Sequence, residues 1–180
     1  KLEDANFAGV TKGNKNQECA LILTEGDSAA TLARSGLTVV GRDYYGIFPL
    51  KGKVLNVREL KDSIAGRDKI AENDEIENLR KILGLQTGKE YTDTSDLRYG
   101  KIIIMTDQDF DGSHIKGLLM NMFDSLFPSL LKIDGYLTSL LTPVVKITKG
   151  NTTRSFYNQN KFEKWRDSHN GGKGWNVKYY

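Results

Sequence analysis

At 180 residues, 38% hydrophobic and 27% charged, the chain has material for one domain with a core, or one domain plus a small appendage, and too many apolar runs for wholesale disorder. A single cysteine, Cys19, excludes an internal disulfide framework and a cysteine-rich zinc site, and no apolar run approaches the roughly 18 residues of a membrane helix. The net charge of +3 hides a split: residues 1–143 carry 18 Lys/Arg against 21 Asp/Glu, and residues 144–180 carry 8 against 2. A soluble, intracellular chain with a slightly acidic body and a basic tail is expected, and no membrane partner.

Residues 1–17 are polar, rich in Gly and Asn, and without periodicity; they read as a linker or the remnant of a preceding domain. The run Cys19 to Thr24 is a short buried strand, and Glu25-Gly26-Asp27-Ser28 turns it into a helix over Ala29–Arg34 that Gly36 should stop. Asp27 or Ser28 can cap that helix. Two extended pieces, Tyr45–Leu50 and Val54–Val57, flank a tight basic turn at Lys51-Gly52-Lys53. A helical region comes next over roughly 59–83, with Asn73 or Asp74 as a cap, Ile76, Leu79, Ile82 and Leu83 on one face, and Gly84 at its end.

Lys101–Thr106 is the clearest strand, apolar on both faces and so central in a covered parallel sheet. After Asp107-Gln108-Asp109-Phe110-Asp111-Gly112, a helix is expected over Ser113–Leu131, broken near Pro128. Tyr136–Leu141 reads as a strand that Pro143 interrupts and Val144–Thr148 continues. Gly150-Asn151 turns it into a hairpin with Arg154–Tyr157, and Asn160 with Glu163 caps a short helix to about Ser168. The strand-like run Trp175–Tyr180 stops without a natural terminus, so an excised fragment is expected. Two strand–turn–helix units define an α/β fold, and sites in open α/β sheets form at the carboxyl ends of strands.

Both units carry acids at that position. Asp107, Asp109 and Asp111 repel one another unless a cation or water intervenes, and alternate residues of an extended segment point the same way. Carboxylates without His or Cys suit Mg²⁺ or Mn²⁺. The plain rival is an acidic turn capping a helix, which needs one acid, not three. A calcium loop is excluded because its twelfth position is Leu118 and a strand, not a helix, leads in. If the two strands lie side by side, Glu25 joins the cluster, and four carboxylates could hold one or two ions for phosphoryl transfer. Lys51 and Lys53, with Asn56 beyond, could hold a phosphodiester backbone, and His114 could donate to a phosphate; each is as readily a solvated group. No Gly-rich phosphate cradle for ATP or a dinucleotide is present.

Three segments then fall into one pattern: Leu23-Thr24-Glu25-Gly26-Asp27-Ser28-Ala29, Pro49-Leu50-Lys51-Gly52-Lys53-Val54-Leu55-Asn56-Val57, and Ile104-Met105-Thr106-Asp107-Gln108-Asp109-Phe110-Asp111-Gly112-Ser113-His114-Ile115. Together they closely resemble the TOPRIM region of type IIA DNA topoisomerases, in wording nearer the eukaryotic enzymes than bacterial gyrase. The resemblance implies a TOPRIM-like open, mostly parallel sheet flanked by helices, with a C-terminal hairpin and helix extension. It divides the chain into a linker at 1–17, a metal-binding domain at 18–143 with a helical insert at 59–100, and a basic extension at 144–180 leading to a DNA-binding core.

By that resemblance Glu25, Asp107 and Asp109 hold Mg²⁺, with Asp111 less directly involved, and Glu25 is also the acid/base group in religation. Lys53 and Asn56 touch double-stranded DNA and Lys51 lies beside the scissile region. Lys51 stands where many members carry Arg, which keeps the charge but not the bidentate geometry. The attacking tyrosine belongs to a winged-helix domain and ATP to another domain, neither in this chain, and the full enzyme is a nuclear homodimer. Rival readings are a nuclease or primase with a similar acidic site, and a non-catalytic binding domain with a vestigial cluster.

Overall fold

A computed structural model describes residues 2–52, 54–107 and 109–180. The chain divides into two units, Lys1–Leu140 and Leu141–Tyr180. In the first, strands β1 (Ala20–Glu25), β2 (Tyr45–Leu50), β3 (Lys101–Met105) and β4 (Leu137–Ser139) form one parallel sheet in the order β2-β1-β3-β4. β1 and β3 are central because their side chains are apolar on both faces, and each face is covered. Helix α2 (Gly26–Val40) lays Ala30, Ala33 and Leu37 on one face against Ile47 and Met105. On the other, α5 (Asp74–Leu83) and α6 (Phe110–Leu126) bring Leu79, Leu83, Leu119, Met122 and Phe123 into a core with Leu21, Leu23, Ile102 and Ile104. This is the α/β sheet the strand pattern implied.

Several boundaries differ from the sequence expectation, each for a physical reason. α2 does not stop at Gly36 but continues to Val40, ending at Gly41 with φ 83°. Gly36 is tolerated because burying Leu37 on the same face as Ala30 and Ala33 outweighs the ~1 kcal/mol penalty of a helical glycine. No side-chain hydrogen bond caps its start, so neither Asp27 nor Ser28 plays that part. Residues 54–56 are not a strand: Val54 and Val57 turn into the core and a short helix, α3 (Val57–Leu60), begins there. The helical region is three helices, α3, α4 (Ile64–Ala71) and α5, because Ser63 and Asn73 each start a new one; Asn73 Oδ1 accepts from Ile76 N at 3.0 Å.

α6 begins before Ser113 because Asp109 caps it, and ends at Leu126 ahead of Pro128. Among the described residues no helix is long and apolar enough to cross a membrane.

The opening residues 2–17, read from their polarity as a linker, are tied into this unit. Glu3 bridges antiparallel to Ile47 at the outer side of β2. The Tyr99 hydroxyl accepts from Ala5 N at 2.9 Å and donates to the Asp4 carboxylate, which also pairs with Arg98. Asn16, in the short helix α1 (Lys15–Glu18), is wholly buried, and its Nδ2 donates to the carbonyls of Ser95 at 2.8 Å and Leu97 at 2.7 Å. That side chain pins the approach to β1 against the approach to β3.

In the second unit, β5 (Val145–Lys149) does not continue β4. It is the middle of a separate antiparallel sheet, order β6-β5-β7, with β6 (Thr152–Phe156) and β7 (Asn176–Tyr179). Helix α7 (Gln159–Ser168) packs Phe162 and Trp165 on Val145 and Ile147. Its cap is Asn158, whose Oδ1 accepts from Asn160 N at 2.8 Å, rather than Asn160 itself. The expected hairpin around Gly150-Asn151 is present.

Asn16→Ala strips the Ser95 and Leu97 carbonyls of their buried donor. The expected cost is about 2 kcal/mol, read as a melting temperature lower by roughly 4–8 °C; an unchanged melting temperature would contradict the pinning role.

Candidate metal centre

The site is assembled by strand register. β1 pairs with β2 so that Glu25 lies opposite Leu50, and with β3 so that Thr24 lies opposite Met105. The three strands therefore end at one level. Leaving that level, β2 enters Lys51, while β3 enters Thr106 and the acidic segment. Glu25 therefore lies between the β2 end that leads into Lys51 and the β3 end that leads into the acids.

Glu25 is half-buried, and its Oε2 is fully buried without a hydrogen-bond partner among the described residues. Burial first, then the negative charges of Asp109, Asp107 and Asp111, push its carboxyl above the ordinary glutamate range; the Asp107 backbone amide pulls the other way. Four carboxyl groups thus feel one another across the two strand ends, as the sequence anticipated for side-by-side strands. Asp107, Asp109 and Asp111 are exposed.

Asp109 is also the helix cap: its Oδ1 accepts from Gly112 N at 2.7 Å, and its carbonyl accepts from Ser113 Oγ at 3.0 Å. The rival capping role is therefore real; it is filled by Asp109 and uses one carboxylate oxygen of the three acids. The positive end of the helix dipole of α6 makes Asp109 and Asp111 tolerable where they stand. Among the described residues no group of three or more His, Cys, Asp or Glu is disposed to hold a metal ion as it stands. The donor set nevertheless fits a hard divalent ion: all oxygens, negatively charged, one of them buried and unpartnered.

The flanking polar residues have definite partners. Lys51 is exposed, its backbone N–H donates to Glu75 Oε1 at 2.9 Å, and with Gly52 it walls a cleft of about 300 Å³ whose other side is Gly26-Asp27. Lys53 lies outside the described residues. Asn56 starts α3, and its Oδ1 accepts from Asn121 Nδ2 of α6 at 2.9 Å, leaving its amide group as the donor it can offer. His114 is exposed in the first turns of α6.

Two positions escaped the sequence reading. A Cβ on Gly112 would stand 2.1 Å from the Asp107 carbonyl oxygen, so only glycine lets the acidic segment fold onto the start of α6. Its place directly after the third aspartate was the available signal. Asn121, an amide between Met120 and Met122, could have been noticed as a polar break in an apolar run.

The family model described as Toprim domain matches residues 20–139, and the one described as C-terminal associated domain of TOPRIM matches residues 140–180. The chain belongs to the Toprim family.

Within that family its likeness is to eukaryotic-type DNA topoisomerase II. It is 55% identical over 183 residues to DNA topoisomerase 2-alpha of Homo sapiens, and 54% identical over 181 residues to probable DNA topoisomerase 2 of Dictyostelium discoideum. Each alignment takes in 100% of this chain and 11% of the relative, so the chain spans about a ninth of the length of these curated relatives. The solved Plasmodium falciparum topoisomerase II DNA-binding, cleavage and re-ligation domain superposes with a TM-score of 0.85 at 51% identity, over 100% of this chain and 24% of that one.

Two variants probe the site's electrostatics and packing. Without metal, Glu25→Gln relieves a buried charge among like charges and should raise the melting temperature by about 2–4 °C, the response of a domain this size to about 1 kcal/mol. The sign is set by a raised carboxyl: the destabilisation is absent below about pH 4.5, the ordinary glutamate value, and grows as pH rises through the higher folded value. Equal melting temperatures of the two proteins at neutral pH would contradict the burial argument. Gly112→Ala, by contrast, should lower stability by about 1–3 kcal/mol through overpacking, measured by urea unfolding.

Proposed function

We propose that the chain is the metal-binding part of an ATP-dependent type IIA DNA topoisomerase, which cleaves and rejoins double-stranded DNA to pass a second duplex through. The observation that carries the reading is the common level of the β1 and β3 ends, which gathers Glu25 with Asp107, Asp109 and Asp111 and leaves Glu25 Oε2 buried and, among the described residues, unpartnered. The likeness to topoisomerase II relatives over the full chain supports it.

Glu25, Asp107 and Asp109 would hold Mg²⁺, with Mn²⁺ an acceptable substitute, and Asp111 would add negative potential beside them. A bound divalent ion supplies charge stabilisation to the attacking and leaving oxygens of phosphoryl transfer. Asp109 would reach the ion through the oxygen not engaged with Gly112 N. Glu25 takes up a proton more readily than an ordinary glutamate, which suits an acid/base part in rejoining the strand. Lys51, which follows the end of β2 on the other side of β1 from β3, and the Asn56 amide would meet the phosphodiester backbone, with Lys53 and His114 as further contacts.

In this reading the nucleophilic tyrosine comes from a winged-helix domain and ATP is used by another domain, both outside this chain. The working enzyme is a nuclear homodimer, and the 180-residue chain alone is inactive. Domain 18–143 would then be the metal-binding module with an insert at 59–100, and 144–180 the extension toward the DNA-binding core.

In the full-length protein, Glu25→Ala and Asp107→Ala should each reduce Mg²⁺-dependent DNA cleavage by at least about a hundredfold, the loss typical of one missing electrostatic stabiliser. The far-ultraviolet circular dichroism of the domain should be unchanged. Cleavage at the parent rate by both variants would overturn the assignment.

A further inference from the structure

The helices between β2 and β3 enclose a cavity of about 510 Å³ with the end of α6. Its origin is local. α4 has eight residues and buries only Gly66 and Ile70, while its Ile64 is 74% exposed. A Cβ on Gly66 would stand 2.0 Å from the Leu60 carbonyl oxygen, so the start of α4 is pressed onto the end of α3. The other end leans on the core through the one side chain of Ile70, and the space left beside it is the cavity.

Floor and rim differ in chemistry. The floor is Ile70, Ile76 and Phe127, all buried members of the main core, so the fold itself forms it. The rim holds three cations, Lys61, Arg67 and Arg80, against one carboxylate, Glu77. Glu77 is already satisfied: its two oxygens accept from Arg80 Nη2 and Nε, each at 2.8 Å, and Lys81 Nζ is 3.4 Å away. Lys61 and Arg67 are exposed and in no ion pair among the described residues. Asp62 and Asp68, their neighbours in the chain, do not line the cavity.

We propose that this cavity binds a small amphipathic monoanion, its apolar body on the Ile70, Ile76 and Phe127 floor and its carboxylate met by Arg67 and Lys61. A guanidinium without an acid partner matches a carboxylate through two parallel hydrogen bonds. The volume is that of a small-molecule site, roughly 300–1,000 Å³, whereas a protein partner needs about 800 Å² of surface. Phosphate or a nucleic-acid backbone would answer the cations but leave the apolar floor wet, and a cationic amphiphile would meet an excess of positive charge. No described residue of the carboxylate site or of the proposed DNA contacts lines the cavity, so this binding is independent of the DNA chemistry proposed above.

The test follows the backbone amide resonances of the 180-residue chain during titration with decanoate, in EDTA so that metal at the carboxylate site plays no part. Decanoate should cause saturable shifts centred on Ile70, Ala71, Ile76 and Phe127. Octanoate should bind about tenfold more weakly for its two missing methylenes, and decyltrimethylammonium should give no saturable shift there. Lys61→Gln/Arg67→Gln should weaken decanoate binding about tenfold, the loss expected for a charged hydrogen bond. Lys161→Gln/Lys164→Gln, which takes the same charge from α7, should leave the affinity unchanged. Ala71 is an exposed residue of the cavity wall, so Ala71→Trp should fill the space without disturbing the core and abolish binding. Any of these results would overturn the proposal: no saturable shifts with decanoate, shifts centred elsewhere, equal binding of decyltrimethylammonium, equal losses in the two double variants, parent affinity in Ala71→Trp, or tighter binding of a short DNA duplex or a glutamate-rich peptide at the same amides.

Discussion

The parallel pairing of β1 with β3 is the constraint on which the candidate site depends. Because Thr24 sits opposite Met105, the two strands terminate together, and the next residues of both chains must share the same small volume. Those residues are Glu25 on one strand and an acidic segment on the other. A shift of the pairing by one residue would turn each strand's side chains to the opposite face, taking Leu21 and Leu23 or Ile102 and Ile104 out of their packing with α5 and α6 and onto the side that α2 covers. The hydrophobic core therefore enforces the carboxylate cluster. Asn16, buried and bonded to the Ser95 and Leu97 carbonyls, secures the other end of the same strand pair.

Enforced proximity of like charges has to be accommodated, and the structure does so locally. Asp109 spends one oxygen on the amide of Gly112, and both it and Asp111 sit at the positive end of α6. Gly112 permits this by bringing the helix start against the Asp107 carbonyl. Glu25 receives the least compensation: burial and three neighbouring acids raise its carboxyl, and one oxygen has no partner among the described residues. The residual imbalance is concentrated on that one residue, where a divalent ion or a proton would resolve it.

The two units differ in electrostatic character. The first gathers acids at strand ends; the second gathers cations on one sheet face, with Lys146 and Lys178 opposed and unpaired among the described residues. In each, a like-charge contact is imposed by strand register. A net charge of +3 conceals both.

Local patterns were legible in the sequence. The apolar runs ending in acids located β1 and β3, Asn73 and Gly84 marked the ends of α5, and the alternating aspartates marked the site, because strand burial, helix capping and charge repulsion act between near neighbours in the chain. Boundaries set by packing were not legible. Gly36 stays helical because Leu37 has a core to enter, Val54 and Val57 leave the extended state for the same reason, and residues 144–148 leave the first sheet for a second one. The partnership of Asn56 with Asn121, the burial of Asn16 and the facing of Lys146 with Lys178 joined residues distant in the chain, which no local signal encodes. The sequence by itself determined which chemical groups stand at the ends of which strands. Only the tertiary structure decided which strands are neighbours, and hence which charges meet, since that choice belongs to the packing of the whole core.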